Sequence, residues 1–518
     1  MQNFKVIKYL RSRSWHWYLA LAITLIGGFI RFYRIPQTVM FLGDQGRDAL
    51  IVSRIFKEID PVLIGPVTSV GNMYLGPLYY YFMLPFLWVS YPSPLGPVYA
   101  VAFFSSLSIF ITYLIGKKMF SVTVGLLASF FLAFGVASVE LSRFSWNPNL
   151  APLTTILMIY FCWKALRESK YWIVAALLFS VLIQLHYITL LTGISAGLLW
   201  IYSLLKIKFC KTDNTTSKLK ELFTNSFLSG LLILLSFAPI VLFDTIHGGI
   251  NLKAFQSMFN QEQIFTHRSS SSTIDRTKAL FIDSKSRSRS ILVDLMMNRQ
   301  KPVEDFLVVL VTISLIYLVA IKKKKSQEAS DAVLTIVSFL VVGILGTALY
   351  QHPIYHHYIA YLIPITSISY ALSLKLIIKK LKVFSIPIVA IALGGFIVIN
   401  NSQWPLKPNN NYLNTQQISA QIEQILQPED RYELVLLSET KDLYAQSYRY
   451  FLSTTDNPPI VRDKGEVPNT LVIIDEEKKV ENVAQLPIYE IQIFPEKNLF
   501  QKLENSDLAD IYIFKSSN

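Results

Sequence analysis

Two carboxylates stand four residues apart in Gly43-Asp44-Gln45-Gly46-Arg47-Asp48, with an arginine directly before the second. A carboxylate so placed can take a proton from a hydroxyl, and a neighbouring guanidinium can hold an anion as charge develops on it. From Asp48 onward, Ala49-Leu50-Ile51-Val52-Ser53-Arg54-Ile55-Phe56 has the spacing of an amphipathic helix. If that helix starts near Asp44, the i,i+4 spacing puts Asp44 and Asp48 on one face. Acids in a first helical turn also favour the helix dipole, so capping is the plainer reading of Asp44. Gly43 and Gly46 are expected to loosen the backbone around it. The position of the stretch, just after the first apolar run, favours chemistry at a membrane surface.

The elements that must position these residues are membrane helices. The chain has 518 residues, 52% of them hydrophobic, and its mean hydropathy is +0.40. Apolar runs of about 20 residues recur, which a soluble core does not need. The net charge of +13 does not point to nucleic acid. Much of the excess sits in short loops such as Lys117-Lys118 and Lys322-Lys323-Lys324-Lys325, as orientation on an anionic leaflet requires. Cys162 and Cys210 lie in or beside helices and support neither a disulfide scaffold nor a cysteine-rich metal site. The N-terminus is basic, then apolar, and has no small-residue cleavage site, which predicts an uncleaved first helix.

The fold expected is mainly α and polytopic, with about eleven spans. Every lysine cluster falls on one side if residues 72–90 lie in the interface without crossing. A full span there is the alternative, and it would invert everything downstream. The first arrangement puts the N-terminus in the cytoplasm of a cell whose plasma (cytoplasmic) membrane holds the chain. Residues 1–400 then form a transmembrane domain with outer loops 35–95 and 244–304, and residues 401–518 a small extracytoplasmic α/β domain. In that last part Tyr412–Leu426 and Asp442–Phe451 read as helices. Tyr432–Leu437, Thr470–Ile474, Ile488–Ile493 and Ile511–Phe514 read as strands. Residues 264–301 carry eight Lys/Arg against three acids, and Ser269–Thr273 suggests mobility. Such a loop suits a phosphate or, equally, anionic lipid.

On this topology polar residues converge on the outer face. Asp44, Arg47 and Asp48 are joined there by Glu140, Arg143, Trp146 and Asn147, by His186-Tyr187, and by His352, His356, His357 and Tyr358. Ionisable groups at membrane depth are costly and tend to mark a site. Singly each has a plain reading: Glu140 with Arg143 as an i,i+3 pair, His186 as a helix-end histidine satisfied by a carbonyl, the later histidines as interfacial. Together they suit transfer from a lipid-anchored donor whose phosphate lies at the surface. Asp44 and Asp48 are the candidate catalytic carboxylates. Arg47, Glu140, Arg143, Asn147, His186, Tyr187, His356, His357 and Tyr358 are the candidates for holding donor phosphate or substrate.

The chain resembles the GT-C superfamily of integral-membrane glycosyltransferases, and within it the family-39-like group of protein O-mannosyltransferases and aminoarabinose transferases. The likeness covers most of residues 1–400. It rests on Gly43-Asp44-Gln45-Gly46-Arg47-Asp48, on Gly76-Pro77-Leu78-Tyr79-Tyr80-Tyr81, on Glu140-Leu141-Ser142-Arg143-Phe144-Ser145-Trp146-Asn147-Pro148, and on the Leu185-His186-Tyr187 break. The resemblance implies a polyprenyl-phosphate-sugar donor, an external active site, inversion at the anomeric carbon, and Asp44 as base. The acceptor would be a glycan, lipid or protein. Many relatives carry Asp-Glu where this chain has Asp44-Gln45, and a Lys-Pro or Pro-Pro where it has Gly76-Pro77. Asp48 would then supply a second carboxylate, and Arg143 or the basic loop the phosphate contact. Some relatives bind a divalent metal; Asp44, Asp48 and the histidines could hold one, although no ligand spacing requires it. Two rival readings remain: a lipid-linked glycan polymerase or ligase centred on Arg143 and residues 264–301, and a transporter or flippase. The last would want polar groups at the bilayer midplane and inverted repeats, and neither is clear here.

Overall fold

The computed structural model of the chain describes residues 15–68, 73–209, 214–260, 273–297, 301–321, 326–350, 353–461, 466–478, 482–495, 497–504 and 508–516. His352, Cys210, Arg268, Arg299 and most of the Ser269–Thr273 run lie outside them.

Side-chain contacts sort the helix ends into two groups. At one end Lys117 lies over the Trp17 ring at 5.0 Å, Lys164 over Tyr171 at 3.9 Å and Lys380 over Tyr317 at 5.0 Å. There too Lys206 pairs with Asp331 at 3.1 Å, Arg167 with Glu328, and Lys375 donates to Ser121 Oγ at 2.8 Å. At the other end Arg143 caps carbonyls of the first helix, Asn147 donates to the Leu185 carbonyl, and Trp404 donates to the Phe134 carbonyl at 3.2 Å. Among the described residues eleven helical passes join the two ends: Trp15–Phe32, Leu95–Met119, Val122–Phe134 continued by Val136–Glu140, Ala151–Ala165, Tyr171–Leu185, Tyr187–Phe209, Thr215–Ser236, Lys301–Ala320, Gln327–Ala348, Ile363–Leu381 and Ser385–Asn401. Six helical stretches are long and apolar enough to cross a membrane by length and composition, and one of them, Ala360–Asn401, holds two of these passes. Its two arms fold back together, since Tyr370 and Phe396 both pack on Phe131. The chain is a multi-pass membrane protein.

Leu78–Ser90 is not one of the passes. Thirteen residues of helix span about 20 Å, short of a bilayer core of about 30 Å. Both its ends meet the lysine-poor end of the bundle. Before it, a Cβ at Gly76 would touch Gln184; within its first turn Tyr79 Oη sits 2.8 Å from Ser145 Oγ. After it, Tyr91 packs edge-on against Phe56, and Tyr450 donates to the Pro92 carbonyl at 3.0 Å. The helix thus starts and finishes at one end of the bundle.

The basic loop differs from expectation where it is described. Thr273–Arg289 is a helix packed along Gln327–Ala348. Two of its cations are engaged: Arg287 donates to the Tyr350 carbonyl at 2.8 Å and Arg289 pairs with Asp305 at 2.6 Å. The segment Ile291–Met297 that follows is buried throughout.

Beyond residue 410 a four-stranded sheet has the order β1 (Tyr432–Leu437), β2 (Thr470–Asp475), β4 (Asp510–Lys515), β3 (Asn498–Leu503). β1 and β2 are parallel, joined across helix Gln446–Leu452; the other two pairs are antiparallel. One face packs Leu434, Leu436, Val472 and Ile474 against Ile418 and Ile422 of helix Asn411–Ile425. The other packs Val435, Leu471 and Ile473 against Ile491 and Phe494. The strand expected at Ile488–Ile493 is instead the short helix Tyr489–Ile493, and the third strand lies at Asn498–Leu503. Ile491 and Phe494, three apart, are the buried pair, so the apparent alternation is a helical one.

This domain is docked on the acidic helix, Gly43–Lys57. A Cβ at Gly46 would lie 2.4 Å from the Gln446 carbonyl oxygen, and one at Gly43 would lie 2.6 Å from the Asp442 carboxylate. The two glycines therefore permit close approach and do not loosen the helix. Phe41 closes the joint, edge-on to Tyr412, Tyr450 and Phe451 at 5.5 to 6.2 Å. Gly46→Ala is expected to force this joint apart, because the obstructing atom is backbone. A loss of about 1–3 kcal/mol, typical of overpacking, should appear as a lower melting temperature and faster proteolysis near residues 402–411. Gly197→Ala, where nothing lies within 4 Å, should leave both unchanged.

Candidate active site

At the start of the acidic helix Gln45 Oε1 accepts from the Leu42 N–H at 3.0 Å. Arg47 then bridges the two carboxylates. Its Nε and Nη2 donate to Asp48 Oδ1 at 3.0 and 2.7 Å, and its Nη1 donates to Asp44 Oδ1 at 2.8 Å. The two acids differ in setting. Asp48 is 1% exposed, takes a third hydrogen bond from Tyr80 Oη at 3.2 Å, and leaves Oδ2 buried without a hydrogen-bond partner. Burial pushes its carboxyl up to about 6 against the pull of Arg47. The Asp44 side chain is 47% exposed.

Asp44 and Arg47 face a cavity of about 810 Å³. Its walls change character with depth. Around the acidic helix they are polar and aromatic, with Thr68, Asn147, His186, Tyr187, His357 and Tyr358. Between Tyr187–Phe209 and Gln327–Ala348 they become wholly apolar, with Leu190, Leu191, Ile194, Val342, Leu345 and Leu349. Arg47 is the one Lys or Arg that lines it among the described residues. Three of its five N–H groups are committed to the carboxylates, and Tyr80 also stands against the guanidinium.

Seven of the eleven residues singled out in the sequence line this cavity: Asp44, Arg47, Asn147, His186, Tyr187, His357 and Tyr358. Asn147 and Tyr187 also fix its rim, donating to the carbonyls of Leu185 and Tyr74. Asp48 stands behind Arg47. Glu140 and His356 pair with each other at 3.2 Å in a separate, smaller cavity, so the expected Glu140–Arg143 pair is not formed. Arg143 is 2% exposed and donates to the carbonyls of Ile30, Arg31 and Tyr33 and to Thr38 Oγ1. The expectation that it meets a donor phosphate fails on placement: its guanidinium caps the end of the first helix. His186 Nδ1 accepts from the Ile188 N–H at 3.3 Å, where a carbonyl partner was expected. Burial lowers His357 to about 3, so its ring is neutral and is no phosphate cation. Among the described residues no three His, Cys, Asp or Glu are grouped to hold a metal. Asp48 is turned to Arg47.

Three contributors escaped the sequence reading. Tyr355 lines both cavities beside His357, and its neighbourhood in Tyr355-His356-His357-Tyr358 was the available signal. Tyr80 binds Asp48. Asp442, from the C-terminal domain, lies close enough to Asp44 that the two repel, and burial with that repulsion raises its carboxyl.

No family model matches the chain, and no curated protein sequence matches it. Solved structures do. The crystal structure of ArnT from Cupriavidus metallidurans bound to undecaprenyl phosphate aligns with a TM-score of 0.57 at 12% identity, covering 96% of this chain and 98% of that one. The same protein in the apo state aligns at 0.52 and 12% identity, covering 96% and 97%. The archaeal oligosaccharyltransferase AglB from Archaeoglobus fulgidus, in complex with an inhibitory peptide and a dolichol-phosphate, aligns at 0.50 and 12% identity, covering 89% and 69%. With this bundle, the acidic helix at one end of it and the sheet domain docked on that helix, the chain shares the fold of these ArnT and AglB structures.

Proposed function

We propose that the chain transfers a sugar from a polyprenyl-phosphate donor to an acceptor hydroxyl, inverting the anomeric carbon, with Asp44 as general base. The observation that carries this reading is the cavity: one continuous space whose apolar part opens between two membrane helices and whose polar part holds a half-exposed carboxylate beside a guanidinium. An isoprenoid tail suits the apolar walls, and a phosphate suits the Arg47 guanidinium that lines the polar part. The likeness in fold to a protein crystallised with undecaprenyl phosphate supports the same donor class. By the lysine distribution the site faces away from the cytoplasm, on the outer side of the cytoplasmic membrane.

In the reaction Asp44 takes the proton of the acceptor hydroxyl. The hydroxyl oxygen forms a bond to the anomeric carbon, and the bond from that carbon to the phosphate oxygen breaks. Polyprenyl phosphate leaves with the electron pair, and Arg47 stabilises the negative charge that grows there. Asp48 does not touch substrate in this scheme. It holds Arg47 in the plane that serves Asp44 and the phosphate.

Asp44→Asn should lower release of polyprenyl phosphate from a radiolabelled donor by about 10²- to 10⁴-fold, the usual contribution of a general base. The variant should still insert and elute as the parent does. Turnover within threefold of the parent would remove Asp44 from the chemistry.

Asp48 predicts an acid limb. Below pH 6 it takes a proton, Arg47 loses its buried counter-charge, and the rate should fall; Asp48→Asn should be slower throughout and lack that limb. The sign for stability is opposite. Because the folded-state value of about 6 lies above the ordinary 3.8, folding takes up a proton in that interval, and the contribution of Asp48 to stability declines as pH rises through it. Rate–pH profiles and denaturation midpoints of the two proteins check both statements.

A further inference from the structure

Helices Tyr171–Leu185 and Tyr187–Phe209 are joined by a single extended residue, His186. Its backbone is engaged within the protein. The N–H donates to the Leu182 carbonyl at 3.1 Å, and the carbonyl accepts from the Thr189 N–H at 3.0 Å and from Thr189 Oγ1 at 2.7 Å. Its neighbours are tied as well: Asn147 donates to the Leu185 carbonyl, and Tyr187 Oη donates to the Tyr74 carbonyl. The imidazole stands beside the Tyr358 ring, with centroids 4.9 Å apart.

The same break places the proton of the ring. Nδ1 accepts from the Ile188 N–H at 3.3 Å, capping the turn that starts the next helix. A nitrogen that accepts carries no hydrogen, so the neutral ring has its N–H at Nε2. A proton added at Nδ1 would set two hydrogens against each other and break the cap. Nε2 has no hydrogen-bond partner among the described residues, and His186 lines the cavity that Asp44 and Arg47 also line.

Its place in that cavity points to its partner. Ile188, Leu190, Leu191 and Ile194 follow His186 along one helix and line the same space. A lipid tail laid on these side chains has its head at the start of the helix, and the first group beyond the tail is the phosphate. Phosphate oxygens accept hydrogen bonds, and Nε2–H is a donor.

We propose that His186, through Nε2–H, is an uncharged hydrogen-bond donor to the phosphate of the lipid-linked sugar, held in that tautomer by the helix on which the lipid tail lies. This rests on the transferase reading above. As the bond from the anomeric carbon to the phosphate oxygen breaks, the electron pair goes to that oxygen, and the hydrogen bond strengthens with the growing charge. The Nε2 proton stays on the ring. Arg47 offsets the charge of the leaving group, and His186 fixes where it sits.

Two amides separate this role from that of a cap. An asparagine amide matches the Nδ1 end of the ring, and asparagine is a good N-cap; a glutamine amide reaches the Nε2 end. The full-length purified protein is assayed for release of polyprenyl phosphate from a labelled polyprenyl-phosphate sugar. Inhibition is measured with added polyprenyl phosphate and with the polyprenol of the same length. His186→Asn should lower kcat by about 10²-fold, as loss of one preorganised donor does, and should weaken inhibition by polyprenyl phosphate about tenfold. Its melting temperature and its inhibition by polyprenol should match the parent's. His186→Gln should keep kcat within about tenfold of the parent. A histidine that only caps the helix predicts the reverse order, with Asn active and Gln impaired. That order, turnover of His186→Asn within about threefold of the parent, or an unchanged ratio of its two inhibition constants would overturn the proposal; the ratio does not depend on the amount of folded protein. A parent protein that releases nothing from any donor would instead overturn the transferase reading on which it stands.

Discussion

The site depends on one arginine held between two unlike carboxylates. Asp48 is sealed in the protein, where an ionised carboxylate is costly unless paired, and Arg47 supplies two of its three hydrogen bonds. The third comes from Tyr80, on the interfacial helix Leu78–Ser90. This fixes the guanidinium plane from behind and turns its far edge, with Asp44, to the cavity. The i,i+3 and i,i+4 spacing of one helix thus puts a fixed cation and a half-exposed anion side by side at the head of a lipid-sized groove. A guanidinium suits this place better than an ammonium, since its planar fork can serve two carboxylates and still offer N–H groups.

A second constraint acts below the site. Arg31 is fully buried, with no carboxylate against it among the hydrogen bonds it makes. It donates instead to the carbonyls of Gly27, Leu132 and Ala133 and to Ser105 and Ser138. These carbonyls lie in the last turns of two helices, where a cation complements the helix dipole. Arg143 repeats the device one layer outward, tying the Leu141–Trp146 loop to the exit of the first helix. Trp146 and Asn147 follow directly and enter the cavity wall, so the two buried arginines place the wall without lining the cavity.

Much of this was legible in the sequence. Lysine clusters and apolar runs give the eleven passes because membrane insertion is governed by composition and charge, which a single sequence displays. Residues such as His186, His357 and Tyr358 were found because polar groups at span ends have few places to go. What composition could not convey was direction. Arg143 and Arg47 are both cations beside an outer loop, and only the rotamer separates the one that caps a helix from the one that faces the cavity. Asp44 and Asp48 share a helix face in projection, yet a slight difference in azimuth buries one and opens the other. Gly43 and Gly46 look like flexibility until the partner backbone is present, and the Ile488–Ile493 alternation looks like a strand until its buried pair proves to be three residues apart.

The docking of the C-terminal domain follows from the same geometry. A helix lying at a membrane surface has one side toward the bundle and one toward water, and an Asp44 carried on it would move with every rocking of that helix. Helix Gln446–Leu452 removes this freedom by resting its first turn on Gly46, with the Asp442 side chain just before it on Gly43, close enough that no side chain fits between. Phe41 is locked among three rings just before the helix begins, and the Asn409 and Asn410 N–H groups reach the Gln37 carbonyl at 3.0 and 2.9 Å. The Asp442 carboxylate, capping the docking helix through the Gln446 N–H at 2.8 Å, reaches the electrostatic field of Asp44. Asp44 is therefore gripped from one side through Arg47 and Asp48 and from the other through backbone contact. A domain that sequence composition separates cleanly from the membrane part is, in its packing, one half of the clamp on that part's acidic helix.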